Sequence, residues 1–279
     1  MEMGTKFFIK LFLLSVFLFS CSNKKKEYYD NGNLKAQYQI SQNGLLEGKF
    51  ISYFKNGNIK SIDLYRENIK VDSTIIYDSI IPDKVKLIYL WNRTSKDSFY
   101  VKNYEDNEVL NEGYIYKAKK VGKWKYYKDK KLEKVLEYIN IKNETYLNQG
   151  WFFDKLGDTI KGVGNNYKFN YSVFQKKKQN EIDIFIKYNP LINNNSNVVL
   201  LFSEQLNKDF SNTNEIVFDT IFLTNNKVNF KYIVKKEGGI KLRGIIKEYA
   251  NIVPTDSIVY KERLIYLDEE ILISGNGKD

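Results

Sequence analysis

Tyr28-Tyr29-Asp30-Asn31-Gly32-Asn33-Leu34-Lys35 returns 25 residues later as Tyr53-Phe54-Lys55-Asn56-Gly57-Asn58-Ile59-Lys60. Between the two copies lies Asn43-Gly44-Leu45-Leu46-Glu47-Gly48-Lys49-Phe50, so Asn-Gly steps fall at 31, 43 and 56. Asn-Gly tolerates the positive φ angles of a two-residue type I′ turn, and its recurrence predicts successive short hairpins. One hairpin cannot bury an aromatic face alone, so neighbouring hairpins must stack into an elongated, single-sheet β-meander with ladders of rings along it. Abundant tyrosine and phenylalanine (22 and 18) with only three prolines agree with strands and tight turns.

A second block runs from Tyr104-Glu105-Asp106-Asn107 through Glu112-Gly113-Tyr114 to Val121-Gly122-Lys123-Trp124-Lys125-Tyr126-Tyr127. Here Glu108 and Lys130 stand where a turn glycine is expected, which predicts degraded or longer turns. A last copy is Gly150-Trp151-Phe152-Phe153-Asp154-Lys155-Leu156-Gly157-Asp158. Across 28–65 and 104–162 the pattern resembles the MORN-repeat variant, in which an aromatic pair and Asn-Gly alternate with Gly-x-Trp-x-x-Tyr. The resemblance implies the meander; its members with antitoxin- or immunity-like roles imply a toxin partner as one functional alternative.

Between the blocks, Ile75-Ile76-Tyr77, Ile80-Ile81 and Val85-Lys86-Leu87-Ile88-Tyr89-Leu90 read as strands, with Pro82-Asp83 as a turn, so the sheet is expected to continue. After about Asn165 the texture changes. Strands are expected at 167–175, 181–188, 198–203, 215–223, 228–235, 240–250 and 258–267, separated by asparagine-rich loops such as Asn193-Asn194-Asn195-Ser196-Asn197. Gly238-Gly239 reads as a hairpin turn. Seven short strands with inward Ile182, Ile184 and Ile186 against outward Asp183, Phe185 and Lys187 predict an immunoglobulin-like β-sandwich. The expected organisation is all-β: a signal peptide at 1–20, a lipidated tether at 21–27, a repeat domain at 28–164 and a sandwich at 165–279.

The first two segments follow from the N-terminus. Lys6 and Lys10 precede the apolar run 11–19, too short to span a bilayer and of the form of a secretory signal. Leu18-Phe19-Ser20-Cys21 resembles the lipobox of bacterial lipoproteins, which implies cleavage before Cys21 and acylation of its thiol and new amino group. Several acyl chains, each giving roughly 0.8 kcal/mol per buried methylene, would hold the chain at a membrane through the polar tether Ser22-Asn23-Lys24-Lys25-Lys26-Glu27. The lysines after Cys21, in place of the acidic residues that direct lipoproteins of the Bacteroidetes type to the cell surface, imply a periplasm-facing outer-membrane position.

The formal net charge is +10. For an exported protein that balance points to anionic lipid, acidic glycan or an acidic envelope protein rather than nucleic acid, unless the lysines simply solvate the outer face of strands. Cys21 is the sole cysteine and histidine is absent, which rules out an intramolecular disulfide and removes the usual general base and metal ligand. No cofactor or metal is expected.

The motifs that carry chemistry are thin. Ser52-Tyr53-Phe54-Lys55 matches Ser-x-x-Lys but lies in a strand, where residues three apart face opposite sides. Asp209-x-Ser211-x-Thr213-x-Glu215 alternates oxygens without the glycine or closing carboxylate of a calcium loop. Asp268-Glu269-Glu270 is acidic with no evident partner. There remain the repeat aromatics Tyr53, Phe54, Trp124, Tyr126, Tyr127, Trp151, Phe152 and Phe153, which either form the repeat core or present rings to a sugar or peptide. Because side chains alternate, one ring of each pair is expected in the core and the other exposed. The reading is a non-enzymatic, lipid-anchored envelope protein that binds or scaffolds through its repeat surface, with immunity-like and glycan-binding or glycan-processing roles as alternatives.

Overall fold

The computed structural model describes residues 23–91, 97–161, 163–176, 179–193, 196–234, 238–252 and 259–273. The signal segment, Cys21, Ser22, Asn194 and Asn195 lie outside them. Among the described residues there are strands and turns and no helix. The chain divides into two compact units, 1–110 and 111–279.

The hairpin repeats form an 11-stranded antiparallel meander in strict chain order. Its strands are β1 (Asn23–Tyr28), β2 (Leu34–Ile40), β3 (Gly48–Tyr53), β4 (Ile59–Arg66), β5 (Ile69–Tyr77), β6 (Val85–Trp91), β7 (Ser98–Glu105), β8 (Glu108–Tyr116), β9 (Lys119–Lys128), β10 (Lys131–Ile141) and β11 (Glu144–Phe152). The segment read as a tether is therefore strand from Asn23 onward, with Lys24, Lys25 and Lys26 opposite Gln39, Tyr38 and Gln37. Ile80 and Ile81, read as a strand, lie in the β5–β6 connection at 82% and 50% exposure.

Turn chemistry is the reverse of the expectation. At the Asn-Gly steps the chain makes a type I turn followed by a left-handed glycine: Gly32 N–H donates to Tyr29 O and Gly57 N–H to Phe54 O, with φ of 84° and 90° at the glycines. Gly44 and Gly157 close the same loop, and the side chains of Asn31, Asn56 and Asp154 accept from N–H groups two residues ahead. These are three-residue hairpin loops with a bulge. Pairs of consecutive left-handed residues, the mark of type I′, occur instead at Glu67-Asn68, Asp106-Asn107, Lys117-Ala118, Asp129-Lys130 and Lys142-Asn143. The turns expected to be degraded or longer are thus the shortest ones.

Within the first unit one face of the sheet carries a ladder of rings, Tyr38 on Phe50 at 5.2 Å and Phe50 on Tyr65 at 5.9 Å. Beside it Asp63, 5% exposed, accepts from Lys70 Nζ at 2.6 Å and Thr74 Oγ1 at 2.5 Å. Ser52 Oγ meets Ser61 Oγ at 2.8 Å, with Lys55 exposed in the following loop, so Ser-x-x-Lys is an accident of the strand.

Seven further strands follow β11: β12 (Asn166–Lys176), β13 (Gln179–Asn189), β14 (Asn197–Phe202), β15 (Asp219–Phe222), β16 (Lys227–Val234), β17 (Gly238–Ile252) and β18 (Val259–Ile273). They form two antiparallel sheets ordered β12-β13-β16 and β15-β14-β17-β18. Ile182, Ile184 and Ile186 are fully buried, as their alternation predicts, in one core with Leu200, Leu242, Ile246, Ile265 and Leu267. Gly238 and Gly239 open strand β17 opposite Ile273 and Leu272 instead of forming a turn. Residues 209–215 belong to a loop in which Asp209 Oδ1 accepts from Ser211 N–H, and the strand expected at 215–223 shortens to β15.

Candidate functional site

In the second unit, the end of the hairpin sheet and the C-terminal strands are joined by polar side chains that imitate strand pairing. The Asn148 amide donates to Tyr266 O at 2.9 Å and its Oδ1 accepts from Tyr266 N–H at 2.8 Å. Arg263 gives Nη2 to the carbonyls of Leu147 and Asn148 at 2.7 and 2.8 Å, Nε to Asn165 Oδ1 at 3.2 Å, and Nη1 to the Tyr146 hydroxyl. Gly150 N–H donates to Asn165 O, and Asn166 Nδ2 to Gly150 O, both at 2.9 Å. Buried amides with donor and acceptor both used lock one register between elements, because a slip would orphan both.

A cleft of about 400 Å³ opens beside this junction, lined by Lys123, Glu137, Asn148, Gln149, Trp151, Tyr167, Asp268 and Glu269 among others. Glu137 Oε2 accepts from Asn148 Nδ2 at 2.9 Å and Gln149 Nε2 at 2.7 Å. Glu269 Oε1 accepts from the Tyr167 hydroxyl at 2.7 Å. Burial, then the charge of Glu269 and its hydrogen bond, with Glu137 and Asp268 adding, hold that hydroxyl far above the ordinary tyrosine range. Tyr167 is therefore a fixed donor at neutral pH. Glu269 occupies an inward-facing position of β18, between the fully buried Leu267 and Ile271, which is why the alternation alone does not mark it. Opposite, the Lys123 ammonium lies 4.8 Å from the Trp151 ring centre.

The acidic run thus has partners: Asp268 pairs with Arg243 at 3.0 Å, Glu270 with Lys241 at 3.3 Å, and Glu269 takes the Tyr167 hydroxyl. Of the aromatic residues singled out in the sequence, Trp151 is the one that lines it. Trp124 is 1% exposed; its ring lies flat on Gly113 and its indole donates to Tyr114 O at 3.0 Å, so it is core rather than surface. Tyr126 meets the Tyr138 hydroxyl at 2.9 Å, and Tyr127 donates to Glu112 at 2.6 Å. Tyr53 O accepts from the Tyr29 hydroxyl at 2.7 Å, and Phe54 begins the Asn-Gly loop. Phe152 packs on Gly164 and Gly150. Tyr53, Phe54, Tyr126 and Tyr127 are all half-buried, so neither pair divides into a core ring and an exposed one. Glu137, the neighbours Asn148 and Gln149, and Tyr167 were not legible as a site, since they come from three separate strands with no motif.

No group of three or more cysteine or acidic side chains suited to holding a metal ion occurs among the described residues. Comparison with known protein families, curated proteins and solved structures finds no match for this chain.

Proposed function

We propose that this chain is a non-enzymatic envelope protein, held at the outer membrane through lipid on Cys21, that binds a glycan in the cleft between its repeat sheet and its C-terminal sheets. One observation carries the reading: Trp151, the Glu137 and Glu269 carboxylates and the Gln149 amide converge on a single cleft of about 400 Å³. That volume is in the range of small-ligand sites, and a flat ring beside fixed acceptors is the chemistry that takes sugar hydroxyls and the apolar face of a pyranose. The immunoglobulin-like reading of the C-terminal sheets is supported by their order, first-second-fifth strand in one and fourth-third-sixth-seventh in the other.

Isothermal titration of the purified protein with β-linked oligosaccharides, peptidoglycan fragments included, tests the proposal. A saturable isotherm that Trp151→Ala weakens by about fivefold, a ring-stacking contribution of roughly 1 kcal/mol, supports it. Heatless titrations with every oligosaccharide would remove it. A second reading, glycan cleavage, is favoured by the presence of Glu137 and Glu269 in the same cleft. Turnover that disappears in both Glu137→Gln and Glu269→Gln would select it, because a glycosidase needs two carboxyl groups in opposite roles.

A further inference from the structure

In the first unit, Lys24, Lys25, Lys26 and Lys49 gather around one shallow hollow of about 190 Å³, with Gln37, Gln39, Tyr38 and Ile51 completing its wall. The register explains why. Lys24 and Lys26 stand opposite Gln39 and Gln37, and Gln37 opposite Ile51, so alternation puts Lys24, Lys26, Gln37, Gln39, Lys49 and Ile51 on one face. The other face holds Lys25 and Glu27 on β1 and, reaching onto β4, Asp63 and the Tyr38-Phe50-Tyr65 ladder. No aspartate or glutamate occupies the lysine face within β1, β2 and β3. All four lysines are exposed, and none has an ion-pair partner among the described residues.

We propose that this lysine face docks on the anionic surface of a phospholipid bilayer. Two observations point to that occupant. The charge on this face, from Lys24, Lys26 and Lys49, is of one sign, whereas the opposite face also carries the Glu27 and Asp63 carboxylates. β1 also begins only two residues after Cys21. At no more than about 3.5 Å per residue, a lipid on Cys21 keeps Lys24 within about 10 Å of the head groups, about one Debye length, and Lys26 within about two. This proximity rests on the anchoring proposed above; the charged face does not. Acyl chains on one residue hold the chain at the membrane without fixing its orientation, and basic side chains at the surface add the second contact that sets the sheet edge against it.

The chain from Ser22 to Asp279, which keeps every strand among the described residues and lacks Cys21, is co-sedimented with vesicles of phosphatidylglycerol and phosphatidylcholine. Binding that needs phosphatidylglycerol, falls with added salt, and drops at least about a hundredfold in the K24Q/K25Q/K26Q/K49Q variant is expected, at roughly fivefold for each of Lys24, Lys26 and Lys49. A control variant, K161Q/K187Q/K208Q/K261Q, removes equal charge elsewhere and should bind as the parent does. Equal binding to pure phosphatidylcholine, or equal loss in the control, would overturn the proposal. Circular dichroism of both variants keeps a folding defect from imitating loss of docking. Membrane fractionation of the full chain carrying Cys21→Ala tests the anchor separately, so failure of one reading is distinguishable from failure of the other.

Discussion

The Tyr167 hydroxyl donates to the Glu269 carboxylate across 2.7 Å, joining β12 to an inward-facing position of β18 that lies 102 residues away. Hydrophobic neighbours on both sides of Glu269 make this contact the reason a carboxylate is tolerated there. Replacing Tyr167 with Phe leaves an acceptor half-buried without its donor. We expect a loss of about 1–3 kcal/mol in urea unfolding, with Glu269→Gln costing less because the amide oxygen still accepts.

The same contact sets an alkaline limit. Burial and neighbouring glutamates raise the hydroxyls of Tyr167 and Tyr188 above the ordinary value of 10.0 in the folded chain. A group raised on folding contributes stability that is complete below its unfolded pKa and is lost as pH rises beyond it. Thermal midpoints should therefore hold steady up to about pH 10 and fall above it, with a shallower fall in Tyr167→Phe. A parent and variant with identical alkaline slopes would contradict the assignment.

Glu248 is fully buried and accepts from the Tyr188 hydroxyl at 2.7 Å and from the N–H groups of Leu191 and Ile192 at 2.9 and 2.8 Å. It ties the chain after β13 to β17. Glu248→Ala strands three donors and should cost at least about 3 kcal/mol, while Glu248→Gln, which keeps an acceptor, should retain most of the stability in chemical denaturation.

The turns give a prediction of opposite sign at two sites. Ala118 holds φ of 62° in a type I′ turn, a conformation that penalises its Cβ, so Ala118→Gly should stabilise by roughly 0.5–1 kcal/mol. Gly57 holds φ of 90° with open space around it, so Gly57→Ala should destabilise by about 1 kcal/mol through backbone strain alone. Differential scanning calorimetry of the two variants checks both signs.

Gly113 lies against the buried Trp124 ring, where an added Cβ would come within 2.5 Å of ring carbons. Neither the backbone of β8 nor the indole can move without repacking. Gly113→Ala should cost about 1–3 kcal/mol, and the Trp124 fluorescence maximum should shift to the red as the ring is pushed toward solvent.

Much of the architecture was legible because its signals are local. The repeat at 28–35 and 53–60 announces hairpins, and the alternation at 182–187 announces a half-buried strand. Turn type was not, since Asn-Gly serves both a two-residue loop and a three-residue loop with a bulge, and the pairing of the flanking strands chooses between them. Trp124 read as a candidate surface ring because the motif places an aromatic there without saying which face Gly113 offers it.

The amino-acid sequence by itself determined an all-β chain of stacked hairpins followed by longer alternating strands, without histidine or disulfide chemistry. These features depend on spacing of one to four residues along the chain. The tertiary structure alone decided the cleft. Glu137, Trp151, Tyr167 and Glu269 share it because Asn148 and Arg263 fasten β11 to β18, contacts between residues 115 to 118 apart. No periodicity carries such a pairing. It follows from which buried polar groups find complementary partners once the sheets have formed.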